Sequence, residues 1–268
     1  MDSYFDDRSM MRVIHRERAV ALSGPRALLM QAAHPLAVAG LLAHSDALDA
    51  PYDRLARTAE VMSTIGFGSR VEANRITRRV RGMHRKVSGT LDQPTGRYPA
   101  GTPYRADDPE LLLWVLFTLV DSGIDVYSRY VRSLDRDERA AYWQDYKIVG
   151  RLFGLADSDL PDTLADLEDY RNEMFTGDTL HVSDWARTTA RRIVMEPPVP
   201  LWARPLLEAA NFTTIALLPD RIREMYGFLP LPPVPVRKLA VAGGAEYAKR
   251  LLIPLLPDRL RLVPAARA

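Results

Sequence analysis

DPELLLWVLFTLVDSGIDVYSRYVR, residues 108–132, decides the fold class. Asp108-Pro109-Glu110 is a strong helix start. An aspartate side chain accepts from the free N–H groups of a first turn, and proline suits the first helical position. The residues from Leu111 onward are apolar almost all the way round, so the predicted helix, running to about Arg132, belongs at the centre of the molecule. Asp121 and Asp125 lie one turn apart within it. An unpaired carboxylate there is costly, so each is expected to pair with a buried arginine such as Arg54 or Arg57, or with tyrosine and backbone donors. A role as pocket acid is the alternative.

Working outward, the same helix punctuation recurs. Gly24-Pro25 opens an apolar stretch, residues 27–43, that Pro35 should kink or restart. Asp53 can cap a helix running to about Phe67. Ser69 and Glu72 form a capping box for a helix that sets Ala73, Ile76, Val80, Met83 and Val87 on one face. Asp135 with Glu138 starts the next helix, which Gly154 stops. Further helical patterns cover residues 162–175, 183–195, 205–217 and 220–226, and no alternating strand run appears. Proline-rich elbows at 196–200 and 230–235 interrupt the last third, but the pieces beyond them are too small to fold alone. The expectation is an all-α, single globular multi-helix domain over residues 1–268, with an irregular proline-rich part at 228–268.

Composition narrows the function. With 47% hydrophobic and 26% charged residues the chain can bury a full core. Its 36 basic and 34 acidic side chains are scattered, which argues against a nucleic-acid partner. The absence of cysteine excludes disulfides, zinc ribbons, iron–sulfur clusters, thiolate haem ligation and cysteine nucleophiles. Residues 1–12 carry Asp2, Asp6 and Asp7 and no apolar core, unlike a signal peptide. Residues 27–43 are the one stretch that imitates a membrane span. They contain Gln31, His34 and Pro35 and fall short of the ~20 residues a span needs. A cytoplasmic protein with no stable span is expected.

Metal or acid–base chemistry therefore falls to five histidines and the carboxylates. His15, in His-Arg-Glu-Arg, is expected to be a solvated surface residue, and His181, three residues after Asp178, a cap or surface residue. His34 and His44 belong to the apolar region and its exit, as core or cap residues; the proline after His34 frees backbone carbonyls and can open a cavity beside the kink. His84 is the most informative. It follows Val80 by four residues and precedes Val87 by three, on or beside the apolar face of a helix whose other face is Arg75, Arg78, Arg79, Arg81, Arg85 and Lys86. It is either a packed core imidazole or the neutral imidazole that an axial haem ligand requires. Arg54, Thr58 and Val61 share one helix side, with Arg57 adjacent. They form a solvated face paired with acids such as Glu60, or they line a cavity and hydrogen-bond a diatomic ligand or an anionic group. Hydrolase and di-iron signatures are missing: there is no Gly-x-Ser-x-Gly, His-Glu-x-x-His or Glu-x-x-His. Gly66-Phe67-Gly68 lacks the strand context and later glycine of a phosphate loop.

Several runs occur in one order: Gly24-Pro-Arg-Ala-Leu-Leu-Met-Gln-Ala-Ala-His34-Pro, His44-Ser, Arg54-Leu-Ala-Arg57-Thr58 and Val80-Arg-Gly-Met-His84-Arg-Lys-Val. Tyr104, Asp108-Pro-Glu-Leu-Leu-Leu-Trp114 and Asp121-Ser122 follow. Their order and spacing resemble the DUF2236 family, the catalytic domain shared by latex clearing protein, a rubber oxygenase, and fungal MpaB-type oxygenases. The likeness is clear from Arg18 to Gly154 and extends to Tyr226. It implies an all-helical fold and a b-type haem, with His84 as the axial iron ligand and with Arg54 and Thr58 beside the haem. The position before that threonine is a distal lysine in one rubber oxygenase and is Arg57 here. Arginine stays protonated and is a poor iron ligand, so an oxygen-contacting or anion-binding role is implied. The rubber oxygenases' proposed catalytic glutamate has no matching acid. His34 lies in that part of the chain and joins Arg57 and Thr58 as a catalytic candidate. The implied activity is a haem-b-dependent oxygenase using dioxygen on a small apolar, isoprenoid- or lipid-like substrate. An intracellular substrate is expected, since the long extension and export signal of secreted rubber-degrading enzymes are not seen. The rivals are a haem-binding sensor, carrier or peroxidase-like protein, and a haem-free helical lipid-binding protein. Leu251-Leu-Ile-Pro-Leu-Leu256 is expected to pack into the core, with pocket cover or peripheral membrane contact as the alternatives.

Overall fold

The computed structural model describes residues 2–43, 51–195, 200–228, 249 and 253–266. Helix α6 (Pro109–Tyr130) is its axis, and its N-cap Asp108 accepts from the Glu110 N–H at 2.9 Å. Trp114, Leu116, Phe117, Val120, Val126 and Tyr127 of α6 are buried. Side chains of this size contribute about 1.5–3 kcal/mol each when removed from water. The other helices are, in chain order, α1 (Met10–His15), α2 (Ser23–Gln31), α3 (Pro35–Ala43), α4 (Pro51–Phe67), α5 (Arg70–His84) and α7 (Arg136–Phe153). After them come α8 (Leu164–Thr176), α9 (Asp184–Met195), α10 (Arg204–Leu217) and α11 (Asp220–Met225). α2 lies along α6, α1 packs on α7, and α5 is held between α4 and α7. One α-helical domain results.

The caps expected of α5 and α7 are in place, whereas Asp53 does not cap α4, which begins two residues earlier at Pro51. Ser69 with Glu72 and Asp135 with Glu138 exchange hydrogen bonds in both directions, and Gly154 ends α7 in the left-handed region at φ 107°. Residues 27–43 do break at the proline, into two helices of nine residues each. Neither is long enough to cross a membrane. Among the described residues the helix with that length and composition is α6, and more than half of its apolar window is buried inside the protein.

Asp121 and Asp125 show why α6 is a core helix. Their partner is a buried arginine, as the cost of a lone carboxylate requires, and it is Arg26 of α2. Arg26 is 3% exposed. Its Nη2 donates to Asp121 at 2.7 Å, its Nη1 to Ser122 Oγ at 2.6 Å and its Nε to the Leu217 carbonyl at 2.8 Å. Asp125 lies 3.8 Å from the same guanidinium and also takes Arg129 at 2.8 Å.

Other expectations are corrected. A short antiparallel pair exists, β1 (Ser88–Thr90) against β2 (Pro103–Arg105); three residues are too few to show alternation. Helix α1, within the charged N-terminal segment, was not anticipated, and it buries Met10, Met11 and Ile14. Met83 is exposed, because the inward stripe of α5 runs through Ala73, Ile76, Thr77 and Val80. Leu255, expected in the core, is exposed. The chain beyond it instead returns to the N-terminal segment, where Arg261 grips buried Glu17 through two bonds of 2.8 and 2.7 Å and the Val263 N–H donates to the Arg16 carbonyl. Most of the proline-rich part, residues 229–248, lies outside the described residues.

Candidate functional site

α5 ends at His84, with the Arg85 N–H donating back to the Arg81 carbonyl. Arg81 and His84 thus occupy the last turn, where exposed carbonyls favour cations. Val80, one turn before, faces inward, and His84 is half-buried beside it. The helix end opens into a cleft of ≈ 130 Å³ lined by Arg81, His84, Arg85, Asp107, Leu112, Phe153 and Gly154. Gly154 belongs there for a steric reason. A Cβ at that position would stand 3.2 Å from Arg81 Nε, and its positive φ already strains any other residue.

Charge defines the cleft. Asp107 is held below the usual carboxylate range, first by hydrogen bonds from Arg105 at 3.0 and 3.1 Å and further by the charge of Arg85. It is therefore ionised at neutral pH, facing the two guanidinium groups of Arg81 and Arg85. With two cations against one anion, the cleft suits an anionic group.

The other candidates are placed differently. Arg57 and Thr58 lie on α4, the neighbour of α5, within a run from Ala56 to Glu60 that is exposed at every position. Five consecutive exposed residues turn fully round a helix, so this half of α4 stands clear of the described core, whereas Ile65 and Gly66 further along are buried. The side chain of Arg54 and all of His44 lie outside the described residues. His34 is buried at the α2–α3 turn, its ring 5.8 Å from Tyr98. Arg97 covers Tyr98 at 5.2 Å and pairs with Asp178 at 3.1 Å. Burial first, and the Arg97 charge second, lower His34 to about 4. The neutral ring accepts the Leu36 N–H at Nδ1, at 3.3 Å, which assigns the proton to Nε2. In that tautomer His34 is a hydrogen-bond donor. It does not line the His84 cleft.

Two further histidines are settled by their surroundings. His181 is exposed, as expected, although Asp178 pairs with Arg97 instead. His15 is not the solvated residue that its charged neighbours implied. Its Nε2 lies 2.8 Å from the Tyr142 hydroxyl and 3.0 Å from that of Tyr146, and burial lowers it to about 4. Burial pushes both phenols up as well. Gly123 makes room for this cluster, since a Cβ there would stand 2.5 Å from the Tyr142 hydroxyl.

No group of three or more His, Asp or Glu able to hold a bare metal ion occurs among the described residues. Haem iron needs only one protein imidazole, because the porphyrin supplies the other nitrogens. His84 can be that ligand, and Arg81 and Arg85 are suited to the propionates. The cleft by itself is smaller than the ~300–1,000 Å³ of cofactor pockets, so a porphyrin extends beyond it. The donor chemistry fits.

Among known families, residues 11–261 match "ER-bound oxygenase mpaB/B'/Rubber oxygenase, catalytic domain". No curated protein and no solved structure matches the chain. The match covers nearly all of the chain and every element from α2 to α11, so the chain belongs to the family of the mpaB and rubber oxygenase catalytic domains.

Proposed function

We propose that this member of an oxygenase family is haem-b-dependent and oxidises a small apolar, isoprenoid- or lipid-like substrate with dioxygen. The observation that carries the proposal is His84, a half-buried imidazole closing α5 between two arginines, in a chain of that family. Haem, when bound, supplies the dioxygen chemistry. His84 holds the iron through one ring nitrogen. Arg81 and Arg85, with Arg54 as a further partner, neutralise the propionates. Arg57 and Thr58 act as donors toward dioxygen or an anionic group; a permanently protonated guanidinium donates and does not ligate. His34 contributes its Nε2–H as a third donor. For an alkene substrate the balance is simple: the C=C bond breaks, one oxygen atom goes to each carbon, and two carbonyl groups form with no external reductant.

Oxygen uptake by the haem-loaded protein, screened against unsaturated isoprenoids and lipids, tests this. The expected result is substrate-dependent uptake, with both atoms of labelled dioxygen recovered in carbonyl products. Arg57→Leu should lower the rate by less than about tenfold, because water screens an exposed guanidinium. Haem-loaded protein that takes up no oxygen with any such substrate overturns the oxygenase assignment and favours a sensor or carrier.

A further inference from the structure

Tyr142 and Tyr146 are 0% exposed, yet each carries a hydroxyl. Phenylalanine would fill the same space without taking a polar group out of water. Part of that space is made by Gly123, which stands inside the central helix α6, where glycine is a poor helix former. The rings are close together. The two phenols meet edge to face at 4.9 Å between centroids, and the His15 ring lies 6.0 Å from each.

Counting donors and acceptors places the hydrogens. Two O–H donors share a site whose acceptors are His15 Nε2 and the phenol oxygens themselves. Both donors are satisfied only when Nε2 accepts, one hydroxyl donating to the ring and the other to its neighbour's oxygen. Tyr142 donates to the Tyr146 oxygen, and Tyr146 donates to Nε2 at 3.0 Å. This assigns the imidazole proton to Nδ1. His15 is half-buried, and among the described residues nothing bonds its Nδ1, so that nitrogen is left to water.

A line from phenol to phenol to neutral imidazole to water suits the loss of an electron together with a proton. When Tyr146 gives up an electron, its O–H bond breaks and the proton forms an N–H bond at His15 Nε2. A neutral phenoxyl radical remains, still accepting the Tyr142 hydroxyl. The imidazolium then sheds its Nδ1 proton to water, and no charge is stranded in the core. Tyr146 shares α7 with Phe153 of the His84 cleft, seven residues before it and about 10 Å away along the helix axis.

We propose that the Tyr142–Tyr146 pair, with His15 as its proton acceptor, is a redox site that returns one electron to haem oxidised by peroxide. It drains oxidising equivalents that form without substrate, and it rests on the haem reading above.

In the experiment the Soret band of the haem-loaded protein is recorded first. The protein is then mixed with hydrogen peroxide and frozen at intervals for electron paramagnetic resonance. A phenoxyl signal that narrows in protein made with ring-deuterated tyrosine is expected. Tyr142→Phe combined with Tyr146→Phe should abolish it, with the Soret band and far-UV spectrum unchanged. Either single variant should keep a signal with shifted g-values, because the radical has lost its phenol hydrogen bond; in Tyr146→Phe the radical moves to Tyr142, 2.8 Å from Nε2. His15→Gln should slow radical formation about a hundredfold, the lower end for a positioned base. A Soret band without a phenoxyl signal, or a signal that survives the double variant, overturns the proposal and leaves the haem reading standing. So does a radical that forms in His15→Gln at the wild-type rate. Protein without a Soret band overturns both.

Discussion

Arg26→Leu is expected to destabilise the protein by about 3 kcal/mol and to lower its Tm by roughly 6–12 °C. The substitution removes the guanidinium that holds α2, α6 and α10 together: Asp121 and Ser122 lie on α6, and the Leu217 carbonyl closes α10. Removing one partner of a buried pair costs about 3–5 kcal/mol, because the remaining charge keeps its desolvation penalty and loses its compensation. The lower end applies here. Arg171 remains 3.4 Å from Asp121, and Arg129 still donates to Asp125 at 2.8 Å. Adding Asp121→Asn should therefore restore part of the loss. Arg26→Lys should recover less than half of it, since one ammonium cannot reach the hydroxyl, the carboxylate and the carbonyl in three directions. Urea denaturation reads all three variants, and an Arg26→Leu protein within about 1 kcal/mol of wild type would contradict the assignment of Arg26 as the hub.

Acidification should have a comparable effect through His15 and His34. His15 and His34 are both lowered to about 4 from an ordinary 6.5, in each case chiefly by burial. The unfolded chain takes up a proton on each ring as pH falls through 6.5, whereas the folded protein does so only near 4. The stability they confer is thus complete above pH 6.5 and is lost progressively from there to about pH 4. It amounts to about 3 kcal/mol for each ring. Asp145, raised from its ordinary value by burial, works in the opposite sense at the acid end. Urea unfolding at about pH 7 and about pH 4.5 should show the fall, and His15→Gln or His34→Gln should each remove about half of it. A flat profile over that interval would mean that neither ring is held neutral.

These two effects also mark where the sequence is readable and where it is not. Caps are local: Asp108, Ser69 with Glu72, Asp135 with Glu138, and Gly154 act within four residues of themselves, so the helices they bound were legible. The position of His84 was legible for the same reason, one turn after Val80 on a helix with a clear start. Arg26 was hidden because its partners lie 95, 96 and 191 residues away, inside a run that reads simply as apolar. His15 was misjudged on its neighbours, since its surroundings are built by Tyr142 and Tyr146 of α7 and by the missing Cβ of Gly123 on α6. The cleft beside His84 was only half visible. Arg81 and Arg85 share its helix, but Asp107, Leu112, Phe153 and Gly154 arrive through the packing of α5 on α7 and the start of α6. Helical spacing set Arg54, Thr58 and Val61 on one side of α4, yet spacing could not tell that the half carrying Arg57 and Thr58 stands clear of the described core.

The central claim is that His84 is the haem ligand. It is tested most directly by the absorption spectrum of protein expressed with haem supplied, beside His84→Ala and His34→Ala. A Soret band in the wild type that persists in His34→Ala and disappears in His84→Ala, with the far-UV spectrum unchanged, is the predicted result. Wild-type protein without a Soret band, or a band that survives His84→Ala unaltered, would contradict it.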